Sequence, residues 1–438
     1  MKIKKISIVK LFGLFNHEIL VNKTGITIII GENGLGKTVL LEMLEAFFKK
    51  NFYYFSKIVF EEIKFEFDDG IIWQICKKEE KGDSLLEVTQ INKNGSPYNP
   101  HKIQIHSQEQ IEQIASRIAR AYPLRRVSTR MWEDRRTGVL LTPEDIIEKY
   151  NSVNLDLFST EQEKGNKWFN ERVNGVSINL IETQRLIHTK EVSEHIYEQT
   201  VELYSQDLSQ KIKSLLTAST ELSSQLDRTY PNRLIYSIKK EHSISIEELN
   251  KELNRLEERR RLLDTVGLIV IDKESNISRI DDNNELIINV LTLYIEDSFK
   301  KIEIFSEISK KIELFIDIIN KRFKHKKLYI DKEKGFWFKS TMIKDLKGDY
   351  QTIPLAKLSS GEKNELVLFY RLLFESLPNS LILIDEPEIS LHISWQNCFI
   401  EDLKEIAKLN QLDVLIATHS PDIIANNWNL KVELKGID

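Results

Sequence analysis

Gly25-Ile26-Thr27-Ile28-Ile29-Ile30 runs straight into Gly31-Glu32-Asn33-Gly34-Leu35-Gly36-Lys37-Thr38, and from there into Val39-Leu40-Leu41-Glu42-Met43-Leu44-Glu45-Ala46-Phe47-Phe48. The first segment is a continuous apolar run, the pattern of a strand buried on both faces. The second fits the phosphate-loop pattern G-x-x-x-x-G-K-[ST] in full, and it stands where that pattern has meaning, after a buried strand and before a helix. The third carries apolar residues at helical spacing. Together they predict an α/β fold with a loop built for phosphate. Glycines let backbone N–H groups turn inward, and the helix N-terminus adds positive potential at the same point. Gly31, Asn33, Gly34 and Gly36 are the candidate cradle. Lys37 would place a point charge on the β- and γ-phosphates, and Thr38 would offer its hydroxyl to Mg²⁺.

Three further stretches extend the site. Leu381-Ile382-Leu383-Ile384 reads as a buried parallel strand, and Asp385-Glu386 follow at its C-terminal end, where open α/β sheets bind ligands. Asp385 is the candidate Mg²⁺ holder and Glu386 the residue that would polarise an attacking water. Leu358-Ser359-Ser360-Gly361-Glu362 opens a helix about 23 residues before that strand. A serine hydroxyl and the Gly361 N–H at a helix start can hold an anion. Val414 to Ala417 is another apolar strand, and Thr418-His419-Ser420-Pro421 follow it in a pattern that resembles the H-loop of ABC ATPases; the resemblance makes His419 a candidate γ-phosphate contact. Gln184 stands just after the strand-like run Ile178 to Ile181 and resembles the Q-loop glutamine of those enzymes, which implies a role with Mg²⁺ and in catalysis.

Around these motifs the 438-residue chain divides by pattern. Residues 1–189 read as the N-terminal half of a head, with an insertion at about 77–175. Residues 190–325 read as a helical arm, and 326–438 as the C-terminal half. In the arm, apolar residues recur at helical spacing from Glu191 to Asp227, with Pro231 expected to interrupt the helix. Ser245 and Glu248 form a capping-box pattern, and a third helix is expected from Leu286 to Arg322. At 1.5 Å per residue the longest helices should span about 50–60 Å. The net charge of −5 on so long a chain favours no partner class. Cys76 and Cys398 are far apart and in no metal spacing. No run approaches about 20 apolar residues without charge, so neither a membrane span nor a membrane partner is expected, and the cytoplasm is the expected location. Arg117, Arg120, Arg125, Arg126, Arg130, Arg135 and Arg136 cluster around Tyr122 and Trp132. They read either as a patch for nucleic acid or acidic protein, or as a solvated face salt-bridged by Glu133 and Asp134.

The four motifs in this order resemble those of the ABC ATPase superfamily, with Leu358 to Glu362 similar to its L-S-G-G-Q signature apart from Ser360 and Glu362. The resemblance covers about residues 1–76, 176–190 and 325–425. It implies a split ABC ATPase head with a mixed sheet and a short coiled-coil-like insertion, binding ATP and Mg²⁺ and hydrolysing ATP. Lys37 and Ser359 are about 320 residues apart. Such a split head resembles SMC proteins, RecF-type recombination ATPases and bacterial antiphage ATPases. Phe12-Gly13-Leu14-Phe15, Ile181 to Leu186 and Leu226 to Pro231 look most like the ATPase subunit of PARIS, then the OLD and Septu ATPases. This resemblance implies a head-to-tail pair in which Ser359 and Gly361 complete the partner's phosphate pocket, within a higher homo-oligomer. It further implies a separately encoded effector nuclease, since only Asp422 to Asp438 come after the His419 motif, and an acidic trigger protein of phage origin. A DNA-repair or chromosome-maintenance ATPase that grips DNA directly is the alternative, and an assembly scaffold with little hydrolysis is a third reading.

Overall fold

The computed structural model describes all residues except 81–82, 106–107, 129–130, 136–139, 152–166, 183–193, 240–243, 271–279, 281–283, 390 and 437–438. Two compact units emerge, one of residues 1–185 with 376–438 and the other of residues 186–375.

The first unit begins with β1 (Ile3–Leu11), β2 (Phe15–Leu20) and β3 (Ile26–Ile30), followed by α1 (Lys37–Phe48). Next come β4 (Glu62–Phe67), β5 (Ile72–Glu80), β6 (Asp83–Ile91) and β7 (His101–Gln104). Strands β2-β1-β4-β5-β6-β7, in that order, make an antiparallel sheet. Alternation on β4, with Ile63, Phe65 and Phe67 buried, is what an antiparallel strand with one wet face requires. A small insert follows: α2 (Gln108–Ala121), β8 (Leu124–Ser128), β9 (Met131–Asp134), β10 (Leu140–Leu141) and α3 (Pro143–Asn151). It closes its own core of Ala115, Ile118, Trp132, Leu141, Ile146 and Tyr150. Helix α4 (Lys167–Gly175) and strand β11 (Ile178–Glu182) complete this stretch. Arg172 on α4 is buried and pairs with Asp69 at 2.6 Å, with its guanidinium over the Phe67 ring.

The second unit holds α5 (Glu194–Lys239), α6 (Ile246–Thr265), α7 (Glu285–Glu303) and α8 (Ser306–Arg322). Strands β12 (Lys326–Asp331), β13 (Gly335–Lys344) and β14 (Tyr350–Ile353) form an antiparallel sheet, and α9 (Ser360–Tyr370) follows. The chain makes α5 longer than the sequence pattern predicts. Its 46 residues run through Pro231 and correspond to about 69 Å. Proline removes one backbone N–H and crowds the preceding turn. Here the carbonyl of Leu226 accepts from Arg233 Nη2 at 2.8 Å and from Thr229 Oγ1 at 3.1 Å. The Arg233 guanidinium also grips Asp297 of α7 through two bonds of 2.6 and 2.7 Å. Arg233 thereby ties α5 to α7 within a turn of the proline. The helix expected from Leu286 to Arg322 is instead two, broken at Ile304-Phe305, where the buried Phe305 turns into the core and caps α8. Gly335 lets β13 pass α5, since a Cβ there would lie 1.7 Å from the Ser205 carbonyl oxygen. Ser205 Oγ in turn accepts from Phe336 N at 3.0 Å.

The last stretch returns to the first unit with β15 (Leu381–Asp385), α10 (Ile393–Asn410), β16 (Asp413–Ala417), α11 (Pro421–Ile424) and β17 (Lys431–Glu433). A five-stranded parallel sheet in the order β11-β15-β16-β3-β17 joins both ends of the chain. The split head is thus realised directly: strands from the first 185 residues and the last 63 share one sheet. Parallel and antiparallel pairing are divided between this sheet and the β2-to-β7 sheet. Leu381 to Asp385 are all buried, as a central parallel strand demands. Among the described residues, no helix is long and apolar enough to cross a membrane.

Candidate functional site

The site lies at the C-terminal ends of β3, β15 and β16, which neighbour one another in the parallel sheet. The loop after β3 turns into α1 through Gly36, which caps the helix at φ +85°. A Cβ on Gly36 would lie 2.7 Å from Leu11 Cδ2, so both backbone angle and space select glycine. Beneath the loop, buried His17 donates from Nε2 to the Leu35 carbonyl at 2.7 Å. Burial pushes the pKa of His17 down, so the ring stays neutral and acts as a brace. Nothing in the local sequence marks His17 for this task.

Lys37 is buried, and its ammonium donates to the Gly31 and Glu32 carbonyls at 2.8 and 3.0 Å. It also lies 3.4 Å from His419 Nδ1. Burial lowers the lysine's pKa, against the pull of the Glu386, Asp385 and Glu388 carboxylates. Thr38 Oγ1 donates to Asp385 Oδ1 at 3.3 Å, although the two are separated by 347 residues of chain. Asn33 and Gly34 form the exposed rim of the loop.

Glu386 has φ +44°, in the left-handed region that non-glycine residues rarely occupy. Such backbone strain persists only where neighbours hold it. Its N–H is held by the Ala417 carbonyl at 2.8 Å, and its carboxylate lies 3.8 Å from His419 Nε2. Five of the residues singled out by sequence therefore converge: Lys37, Thr38, Asp385, Glu386 and His419. Gln184 lies outside the described residues.

Ser359 and Gly361 belong to the second unit. Ser359 is exposed and caps α9, its Oγ accepting from Glu362 N at 3.3 Å while Glu362 Oε2 accepts from Ser359 N at 2.9 Å. Glu362, where the signature has glutamine, completes this capping box and pairs with Lys326 at 2.8 Å. Behind it α9 is anchored by the fully buried Glu365, which meets Arg322 at 2.6 Å.

Glu388 is a site residue that the sequence motifs do not assign. Its carboxylate accepts from Thr418 Oγ1 and from His419 N, both at 2.8 Å. Its sequence signal is its place in Pro387 to His392, a stretch that resembles the D-loop region of ABC ATPases.

Magnesium needs few protein ligands when phosphate supplies others: it commonly takes one or two carboxylates plus phosphate oxygens. The Thr38–Asp385 pair fits that donor set. Among the described residues, no cluster of three or more histidine, cysteine or carboxylate side chains offers a metal cage of its own.

A buried lysine in a glycine loop, facing an Asp-Glu strand end and a histidine across a parallel sheet, has the arrangement of a P-loop nucleotide site. The model of the AAA ATPase domain family matches residues 1–424, and the chain belongs to that family. Two curated relatives from Helicobacter pylori strains, each described as a "Probable iron chelatin transport ATP-binding protein", are 34% identical over 76 residues. That stretch is 17% of this chain, and it spans 29% of those proteins. Similar solved structures include an SMC head bound to the C-terminal winged-helix domain of ScpA, with TM-score 0.33 and 11% identity over 97% of this chain and 92% of that one. The SMC head domain from Thermotoga maritima has TM-score 0.31 and 12% identity, covering 97% and 91%.

Proposed function

We propose that this chain hydrolyses ATP in head-to-tail pairs and thereby controls a separately encoded effector nuclease in antiphage defence. The observation that carries the hydrolytic part is the meeting of Lys37, Thr38, Asp385, Glu386 and His419 at one end of one sheet. In this reading Lys37 and the loop amides of Gly31, Asn33, Gly34 and Gly36 bind the phosphates of ATP. Thr38 and Asp385 hold Mg²⁺, joined by Gln184, and the ion would neutralise charge on the transferring phosphoryl group. Glu386 orients and polarises the attacking water, and His419 contacts the γ-phosphate. Ser359 is exposed at a helix N-terminus, a position suited to complete the phosphate pocket of a second chain. ATP that fits only the closed pair shifts the population toward it, and hydrolysis resets the pair.

The defence role draws on the likeness of the stretches around Phe12, Gln184 and Pro231 to antiphage ATPases, with an acidic phage protein as trigger. Two measurements test the whole reading. Sedimentation of Glu386→Gln with and without ATP should show ATP-dependent pairing that Ser359→Arg abolishes. Cells carrying the chain together with its native flanking genes should resist phage, and Lys37→Ala should remove that protection. Unchanged sedimentation sinks the paired-head part, and unchanged protection sinks the defence part.

One observation favours the DNA-gripping alternative. Strand β8 lies at the edge of its sheet with Arg125, Arg126 and Val127 exposed. Arg126 is partly engaged over the Trp132 ring at 5.2 Å. Of the same cluster, Arg130 and Arg136 lie outside the described residues. Duplex DNA affinity that falls by about 10³ or more between 50 and 200 mM salt, and is lost on reversal of Arg125 and Arg126, would favour that alternative.

A further inference from the structure

The ring of His419 is weakly held by its own contacts: 3.4 Å to Lys37 Nζ and 3.8 Å to Glu386 Oε1 are both long for hydrogen bonds. Its backbone is held tightly. Glu388 accepts from His419 N and from Thr418 Oγ1, each at 2.8 Å, with one carboxylate oxygen for each donor. Bonds to an ionised acceptor are roughly twice as strong as neutral ones. The next residue is also clamped, since Ser420 Oγ donates to Gln396 Oε1 at 2.9 Å. Gln396 Nε2 donates in turn to the Glu388 carbonyl at 3.3 Å. Three successive residues after β16 are therefore tied to the segment that follows Glu386. That segment is itself linked to Glu386, because Ile389 N donates to the Glu386 carbonyl at 3.1 Å. Its outer side shows Ile389 and Ile393 to solvent, 44% and 71% exposed.

We propose that Glu388 is a positioning residue, which sets the place of the His419 ring by holding the Thr418–His419 backbone to the turn after Glu386. A displacement of Glu388 is then passed to the His419 backbone through its carboxylate. This inference rests on the reading of the site as one that hydrolyses ATP. Two kinds of role for Glu388 make opposite forecasts for glutamine. A glutamine side chain keeps the shape, can accept from His419 N through its oxygen, and can donate to Thr418 Oγ1, whose hydroxyl is free to turn. A role that needs the negative charge itself fails with glutamine as with alanine.

The experiment compares Glu388→Ala and Glu388→Gln with the parent in the full-length chain, by steady-state ATP hydrolysis and by the His419 ring resonance in histidine-labelled protein. His419→Gln assigns that resonance. Glu388→Ala should lower kcat by about tenfold or more, since misplacing a catalytic group by about 1 Å costs up to about 10²-fold. KM for ATP should change by less than about threefold, since Lys37 and the loop amides, which make most of the phosphate contacts, are left in place. The His419 resonance should move. Glu388→Gln should keep at least about a third of the parental kcat and restore the resonance toward its parental position. Should Glu388→Ala fail to fold, Thr418→Val removes one of the two bonds and should give a smaller loss in the same direction. An unchanged kcat with an unmoved resonance in Glu388→Ala overturns the proposal, as does a raised KM at constant kcat. Glutamine as damaging as alanine overturns it too. If the parent turns over no ATP, the hydrolytic reading fails, and the resonance comparison alone decides whether Glu388 places the ring.

Discussion

The phosphate loop and the helix start at Ser359 both place a glycine at a helix N-terminus, yet they are built differently. The bonds of Ser359 reach three residues along its own chain, to Glu362 and back. Lys37 bonds locally to Gly31 and Glu32, but its contact with His419 and the bond of Thr38 to Asp385 span 382 and 347 residues. One site is made by local capping and is ready wherever that helix is placed. The other exists only once the two ends of the chain share a sheet. The difference teaches where each will fail: the first through its surface chemistry, the second through anything that disturbs the sheet.

The largest expected effect is at Lys37. Lys37→Ala should abolish ATP binding and hydrolysis together, because the loop loses the cation that its Gly31 and Glu32 carbonyls hold in place, and equilibrium binding of a fluorescent ATP analogue checks this. Ser359→Arg sharpens the contrast. It should leave ATP binding to the chain near normal while hydrolysis is lost, since the residue would act on a partner's nucleotide; parental turnover in this variant would refute the paired-site reading. Glu386→Gln should retain ATP and lower turnover by about 10² or more, in the range for loss of a positioned proton acceptor. Single-turnover assays with trapped nucleotide measure it.

Stability distinguishes the regions further. Glu365→Ala should cost about 3–5 kcal/mol by taking from the core the carboxylate that Arg322 meets, whereas replacing both partners by apolar residues of like volume should be nearly neutral. Denaturant unfolding of the single and double variants checks this. The smallest effect concerns Asp69. The hydrogen bond from Arg172 holds its carboxyl below the usual value. Its contribution is therefore complete above the unfolded carboxylate pKa of about 3.9 and is lost as pH falls through the lower folded value. The difference in Tm between the parent and Asp69→Asn should be steady at neutral pH and close as pH drops below about 4. A difference that does not depend on pH would mean that packing of Arg172 on Phe67, and not the charge, does the stabilising.

Elements whose signature lies in a few consecutive residues are legible from residues alone. The run Ile26 to Ile30, the loop to Thr38 and the strand Leu381 to Asp385 appear as predicted, because a doubly buried parallel strand has to be continuously apolar. The capping box at Ser245 also forms as read. Pro231 misleads because the helix continues through it, and just beyond it Arg233 is anchored by Asp297, 64 residues on. The break at Phe305 is hidden in the sequence because apolar spacing continues across it, and only burial of Phe305 in the core shows the turn.

The sequence by itself determined the chemistry on offer: a phosphate loop with its lysine and threonine, two carboxylates at a strand end, a serine-glycine helix start, and a histidine after a strand. Each is written in a few consecutive residues, because helix capping and strand burial act over a few residues. Only the tertiary structure decided that β3, β15 and β16 lie side by side, bringing Thr38 to Asp385 and His419 to Lys37. It also decided that Glu388 takes the backbone of the His419 loop and that His17 braces the phosphate loop. Those contacts form only when the chain closes on itself across long stretches, and a carboxylate or imidazole carries no mark in the sequence of which distant N–H or carbonyl it will meet.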